Sequence, residues 1–120
     1  MKNETLVLGA SLNPDRYSNR AIRSLKANGF AIKAIGIKDG EIEGVKVQTE
    51  KVAFKSIDTV SLYLNKERQK AYYDYIISLN PRRVIFNPGT ENAEFESILE
   101  KEGVFAEVAC TLVLLSLRQY

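Results

Sequence analysis

Apolar residues fall along this chain in two rhythms that alternate from end to end. Thr5-Leu6-Val7-Leu8-Gly9-Ala10-Ser11 is an apolar run of strand length that breaks at once into a glycine turn and a polar loop. The spacing of Ala21, Ile22 and Leu25 then predicts a helix that starts near Ser18 as N-cap and stops at Asn28-Gly29, where glycine supplies the left-handed C-terminal conformation. A second apolar run, Ala31 to Ile37, completes a unit on the scale of one βαβ, about 30 residues.

The alternation continues. Lys38-Asp39-Gly40 turns the chain, and Ile42 to Val47, with Gly44 inside it, reads as a small extended excursion. Ile57 to Leu64 is expected as a third core strand, and Asn65 as the cap of a helix from Lys66 to Leu79 that buries Ala71, Tyr72, Tyr75, Ile76 and Leu79. Asn80-Pro81 ends that helix, because the residue before proline disfavours helical backbone. Arg83 to Phe86 is the fourth strand, followed by the turn Asn87-Pro88-Gly89. Phe95, Ile98 and Leu99 mark a helix that stops at Gly103, Val104 to Val108 is a fifth strand, and Thr111 to Leu117 a closing apolar helix.

Strands written as near-continuous apolar runs, each followed by an amphipathic helix, argue for a parallel sheet covered on both faces. The expected architecture is therefore α/β: a Rossmann-like three-layer α/β/α fold with a five-stranded parallel sheet ordered 3-2-1-4-5, in one domain spanning residues 1–120. Right-handed crossovers put every strand-to-helix loop on the carboxyl edge, where such folds bind ligands. Four segments should meet there: Gly9 to Asn19, Gly36 to Asp39, Tyr63 to Asn65, and Asn87 to Asn92.

Composition removes most chemistry from that crevice. The 120 residues contain no histidine, so imidazole acid–base steps, histidine-paired nucleophiles and histidine-ligated metals are excluded. The one cysteine, Cys110, excludes an internal disulfide and suits a reducing compartment. A net charge of +2, with no basic stripe interleaved with aromatics, gives no nucleic-acid surface. No stretch approaches a membrane span, and Met1-Lys2-Asn3-Glu4 leads into the first strand without a signal-peptide core, so the expected location is the cytoplasm.

The remaining chemistry is nucleotide binding. A dinucleotide fingerprint needs glycines where this chain has Gly9, Ser11 and Pro14, so only the first is present. It also wants an acidic residue at the end of the second strand to hold the ribose hydroxyls, whereas Ile37-Lys38 stands there with Asp39 one step later. A lysine in that place suits a ribose phosphate, which coenzyme A carries on its 3′ oxygen and NADP on its 2′ oxygen. Gly9 has a plainer reading as the residue that permits the tight turn, and Arg16 and Lys38 as solvated surface charges.

Gly9-Ala10-Ser11, the loop Asp15-Arg16-Tyr17-Ser18-Asn19-Arg20, Ile42-Glu43-Gly44, the turn Asn87-Pro88-Gly89-Thr90-Glu91-Asn92 and the ending Ala109-Cys110-Thr111-Leu112-Val113 together resemble the small stand-alone CoA-binding proteins. These are similar to the N-terminal CoA-binding domain of the succinyl-CoA synthetase alpha subunit. The chain departs from the family in reading Ala34-Ile35-Gly36-Ile37 where Pro-x-Asn-Pro is usual, and Leu64-Asn65 where proline is common. The resemblance implies that CoA is held by the first glycine loop, the end of the second strand and the loop after the third. On this sequence those are Gly9, Ala10, Ser11, Arg16, Tyr17, Ser18 and Asn19, then Ile37 and Lys38, then Tyr63, Leu64 and Asn65, with Asn87, Pro88 and Gly89 along the pantetheine path.

The synthetase reaction needs a phosphorylated histidine, which this chain lacks, so the resemblance implies binding of CoA or a short acyl-CoA without turnover. Two other classes share parts of the pattern. An NADP-binding oxidoreductase-like module would use the same lysine but should carry the missing glycines. A protein-interaction module would keep the crevice empty, and the run Leu112 to Leu117 reads equally as core, homodimer seam or partner surface. Cys110 reads as a small buried hydrophobe, or as a helix N-terminal thiol open to exchange with the CoA thiol. Tyr72-Tyr73 reads as half core and half surface, with no chemistry attached.

Overall fold

In the computed structural model, which describes residues 2–120, the central strand β1 (Glu4–Ala10) is buried on both faces. Leu6 and Leu8 enter one apolar cluster with Val60, Leu62, Ile76, Val84, Phe86 and Phe95, while Val7 and Ala10 enter another with Ile22, Leu25, Ala34, Val47 and Leu115. A strand with core on both sides cannot alternate polar and apolar residues, which explains the unbroken run.

One face is covered by α1 (Tyr17–Ala27) and α5 (Thr111–Ser116). The other is covered by α2 (Lys66–Gln69), a 3-10 turn over Lys70–Tyr72, α3 (Tyr73–Ser78) and α4 (Ala93–Lys101). No helix among the described residues is long and apolar enough to cross a membrane.

The sheet departs from the five-stranded 3-2-1-4-5 expectation. It has seven strands in the order β3-β4-β2-β1-β5-β6-β7, with β2 at Ala31–Gly36, β3 at Gly40–Ile42, β4 at Val45–Gln48, β5 at Ile57–Leu62, β6 at Arg83–Phe86 and β7 at Phe105–Val108. The segment read as an excursion is a hairpin turning on Glu43 and Gly44, both at positive φ (45° and 88°), the backbone of a tight two-residue turn. Its second strand, β4, pairs parallel with β2 through Ala34↔Val47, and only β3 runs antiparallel.

The hairpin thus occupies the outer edge of β2. Ile57–Leu62, expected on that edge, instead pairs parallel with the far side of β1. The chain moves outward from β1 through β2 to β4 and returns across β1 to β5, so its direction of travel reverses between the ends of β1 and β5. That reversal opens a crevice at the carboxyl edge.

The expected helix over 66–79 is interrupted. Gln69 is fully buried; its amide nitrogen donates to the carbonyls of Leu64 (2.9 Å) and Thr90 (2.7 Å), and its carbonyl accepts from Asn92 Nδ2 (2.9 Å). Turning a glutamine inward tightens the following turn and leaves Ala71 exposed, while Ile76 and Leu79 are buried as expected.

Candidate functional site

A cavity of about 1040 Å³ lies at the carboxyl edge, its wall built from the loops that follow β2, β1, β5, β6 and β7. The loop after β1 is held by its own polar groups. Ser11 N donates to Ser18 Oγ (3.1 Å), and Asn19 Nδ2 donates to the Ser11 carbonyl (3.0 Å). Arg23 then braces the loop from outside, donating to Asn19 Oδ1 (2.9 Å) and to the Pro14 carbonyl (2.8 Å).

Ser18 is therefore not the N-cap. Arg16 stands at that position without a side-chain capping bond, and Ser18 sits in the first turn of α1 with its hydroxyl committed to Ser11. The first-turn N–H groups of an α-helix have no intrahelical acceptor, so those of Tyr17 and Ser18 are free to meet an anion.

Of the residues singled out from the sequence, the wall contains Gly9, Ala10, Ser11, Arg16, Tyr17, Ser18, Ile37, Lys38, Tyr63, Leu64, Asn87, Pro88 and Cys110. Asn19, Asn65 and Gly89 lie outside it, and the first two have structural tasks. Asn19 clamps Ser11, and Asn65 caps α2 by accepting from Arg68 N at 2.9 Å. Gly89, at φ 92°, donates its N–H to Glu91 Oε1 (2.9 Å).

At Gly9, which lines the wall, a β carbon would fall 2.9 Å from the Tyr63 carbonyl carbon and 3.1 Å from Leu64 N, so its missing side chain admits the β5 loop. Gly36, within the departure from the family pattern, is equally constrained: a β carbon would stand 2.2 Å from the Ala10 carbonyl oxygen.

Asn87 is buried and its amide is spent. Its nitrogen donates to Ser61 Oγ and the Leu62 carbonyl (both 3.0 Å), and its oxygen accepts from Thr111 N (2.8 Å). It shapes the cavity floor by tying α5 to β5. Tyr63 lines the cavity, but its hydroxyl is buried without a partner beside Ser61 and Thr111, which share a 2.7 Å bond with each other. Desolvation pushes the Tyr63 phenol up to about 12, partly offset by the nearby hydroxyls.

Leu12 and Asn13 also line the wall, within the segment expected there, whereas sequence reasoning missed Arg68, Tyr72, Leu112 and Val113. Arg68 lies on α2 and Tyr72 at the end of the 3-10 turn that follows it, and both reach the wall. Tyr72 is held in place by Lys51, whose Nζ lies 4.9 Å from the ring centroid, and by an edge contact with Tyr75 at 6.4 Å. The wall thus carries three cations, Arg16, Lys38 and Arg68, and no carboxylate, in a chain whose 17 basic and 15 acidic residues nearly balance. The other prominent arginine of the sheet, Arg83, is buried at the opposite edge with Glu107 (3.1 Å), Thr59 (3.2 Å) and the Tyr120 ring.

Strand order and wall together define a doubly wound α/β protein with a cationic cavity at its switch point. The chain belongs to the CoA binding domain family, whose model matches residues 3–116. It is 42% identical to an uncharacterized protein of known crystal structure, with a TM-score of 0.96 over 100% of this chain and 99% of that one. A conserved hypothetical protein from Pyrococcus furiosus is 27% identical, with a TM-score of 0.80 over 94% of this chain and 98% of that one. The fold also recurs in the dinucleotide-forming acetyl-coenzyme A synthetase 1 of Ca. Korarchaeum cryptofilum, determined with phosphate and ADP. That likeness has 16% identity and a TM-score of 0.72, over 91% of this chain and 26% of the synthetase chain. No curated protein matches the sequence.

Proposed function

We propose that the carboxyl-edge cavity binds CoA or a short acyl-CoA and that the chain has no catalytic turnover of its own. The observation that carries this reading is the wall of three cations without a carboxylate, in a member of the CoA binding domain family. CoA carries a diphosphate and a 3′-phosphate, and neither Arg16, Lys38 nor Arg68 is neutralised by an ion pair among the described residues. An acid-free wall also disfavours the ribose-diol recognition used for NAD.

In this reading the first turn of α1 receives the diphosphate against the Ala10–Ser11 wall, helped by Arg16. Lys38 faces the 3′-phosphate, Ile37 and Leu64 flank the adenine, and Pro88 borders the pantetheine arm. Binding without turnover accords with a chain that has no histidine. Cys110, half-buried in the wall, is the one thiol able to meet the ligand sulfur. With CoA disulfide its thiolate would attack one sulfur, forming a protein–CoA mixed disulfide and releasing one CoA thiolate.

Thermal unfolding tests the reading, because a ligand that binds only the folded state raises the midpoint. CoA should raise it more than NAD or NADP at equal concentration. Equal shifts for all three, or none at millimolar ligand, would sink the assignment. Mass spectrometry after incubation with CoA disulfide should find an adduct that dithiothreitol removes and that Cys110→Ser does not form.

A further inference from the structure

The cavity is polarised along the sheet edge. Strand order sets its loops in the succession β2, β1, β5, β6, β7, and every wall cation comes from the first three: Lys38, Arg16 and Arg68. The loops after β6 and β7 contribute Pro88, Cys110, Leu112 and Val113 and no charge, and the one amide among them, on Asn87, is already saturated. Val113 is 51% exposed and Leu112 half-buried, so α5 turns apolar side chains to the cavity and leaves them wet. Scattered exposed apolar residues are ordinary, whereas these line the uncharged end of a cavity whose other end is cationic.

A CoA thioester has the same polarity, with its phosphates at one end and its acyl group at the other. Resting on the reading of this cavity as a CoA site, we propose that Pro88, Cys110, Leu112 and Val113 form an acyl subsite, so that the preferred ligand is an aliphatic acyl-CoA rather than free CoA. Free CoA ends in a thiol and leaves the Leu112–Val113 surface in water. Each methylene of an acyl chain laid on that surface removes apolar area from solvent on both partners, and the gain rises with chain length until the chain passes the end of the wall.

Calorimetric titration of the full chain with CoA, acetyl-CoA, butyryl-CoA and octanoyl-CoA tests this, with free octanoate as control. Affinity should rise about two- to fourfold per methylene over the first several carbons and then level off. In Val113→Asp and Leu112→Ser the ratio of octanoyl-CoA to CoA affinity should fall towards one, while Val113→Leu retains it. Equal affinities of the wild type for CoA and octanoyl-CoA overturn the acyl subsite and leave the CoA reading intact. A chain-length gain undiminished in both polar variants, or octanoate binding as tightly as octanoyl-CoA, overturns it too. Absence of binding by CoA and every thioester overturns the CoA reading and the subsite together.

Discussion

A β carbon on Gly9 would lie 2.9 Å from the carbonyl carbon of Tyr63, so the loops that leave β1 and β5 can close on each other only because residue 9 has none. Gly9 is also at φ 98°, where side chains are strained. Gly9→Ala should therefore destabilise the fold by about 2–5 kcal/mol, adding a left-handed backbone cost of about 1–2 to an overpacking cost of about 1–3 kcal/mol. Gly89→Ala is the control: its φ is similar at 92° but nothing lies within 4 Å, so only the backbone cost of about 1–2 kcal/mol applies. Urea unfolding of both variants measures the difference. Equal losses would mean that contact with the β5 loop contributes nothing.

The same residue illustrates what could be read ahead of the structure. Gly9 was legible as a turn at the end of a buried strand, because β1 is written as an apolar run with core on both sides. Its contact with Tyr63 was not legible, since that depends on which side of β1 receives β5. The deciding element is the β3–β4 hairpin, which buries only Ile42 and Val47 and so leaves almost no hydrophobic pattern. Gln69 was hidden for a related reason: a glutamine at a helical position reads as solvent-facing unless the distant Thr90 carbonyl and Asn92 amide are known to await it. Arg68 and Tyr72 entered the wall with that inward turn. Lys38, Ile37 and the β1 loop needed no such knowledge, because a parallel strand delivers its last residues to the carboxyl edge whatever its neighbour.

Tyr63 sets an alkaline limit on stability. Desolvation raises its folded pKa to about 12 from an ordinary 10.0, so the fold favours the neutral phenol. The stability linked to that shift is fully present below pH 10 and is lost as pH rises through 12, up to about 2–3 kcal/mol for a shift of this size. Tyr63→Phe should flatten the decline between pH 10 and 12, measured by urea unfolding across that range. Near pH 7 it should be neutral or stabilising by about 1 kcal/mol, because the hydroxyl is buried without a partner. A loss of more than that at pH 7 would show that the hydroxyl has an acceptor in solution.

Lys38 and Arg68 lie in the same cavity wall on different elements, one after β2 and the other on α2. If Lys38 reads the 3′-phosphate, Lys38→Ala should weaken CoA by about 1–3 kcal/mol, the range for a charge-assisted hydrogen bond, and leave dephospho-CoA nearly unaffected. Arg68→Ala should weaken both ligands alike, as expected of a cation facing the diphosphate they share. Both side chains are exposed, so the preference of the wild type for CoA over dephospho-CoA should shrink as salt rises. Calorimetry of the two ligands against the wild type and each variant closes two double-mutant cycles, and the coupling energy with the 3′-phosphate belongs to whichever residue shows it. Coupling at Arg68 and none at Lys38 would place the 3′-phosphate on the β5 side of the cavity and reverse the adenosine end of the proposed pose.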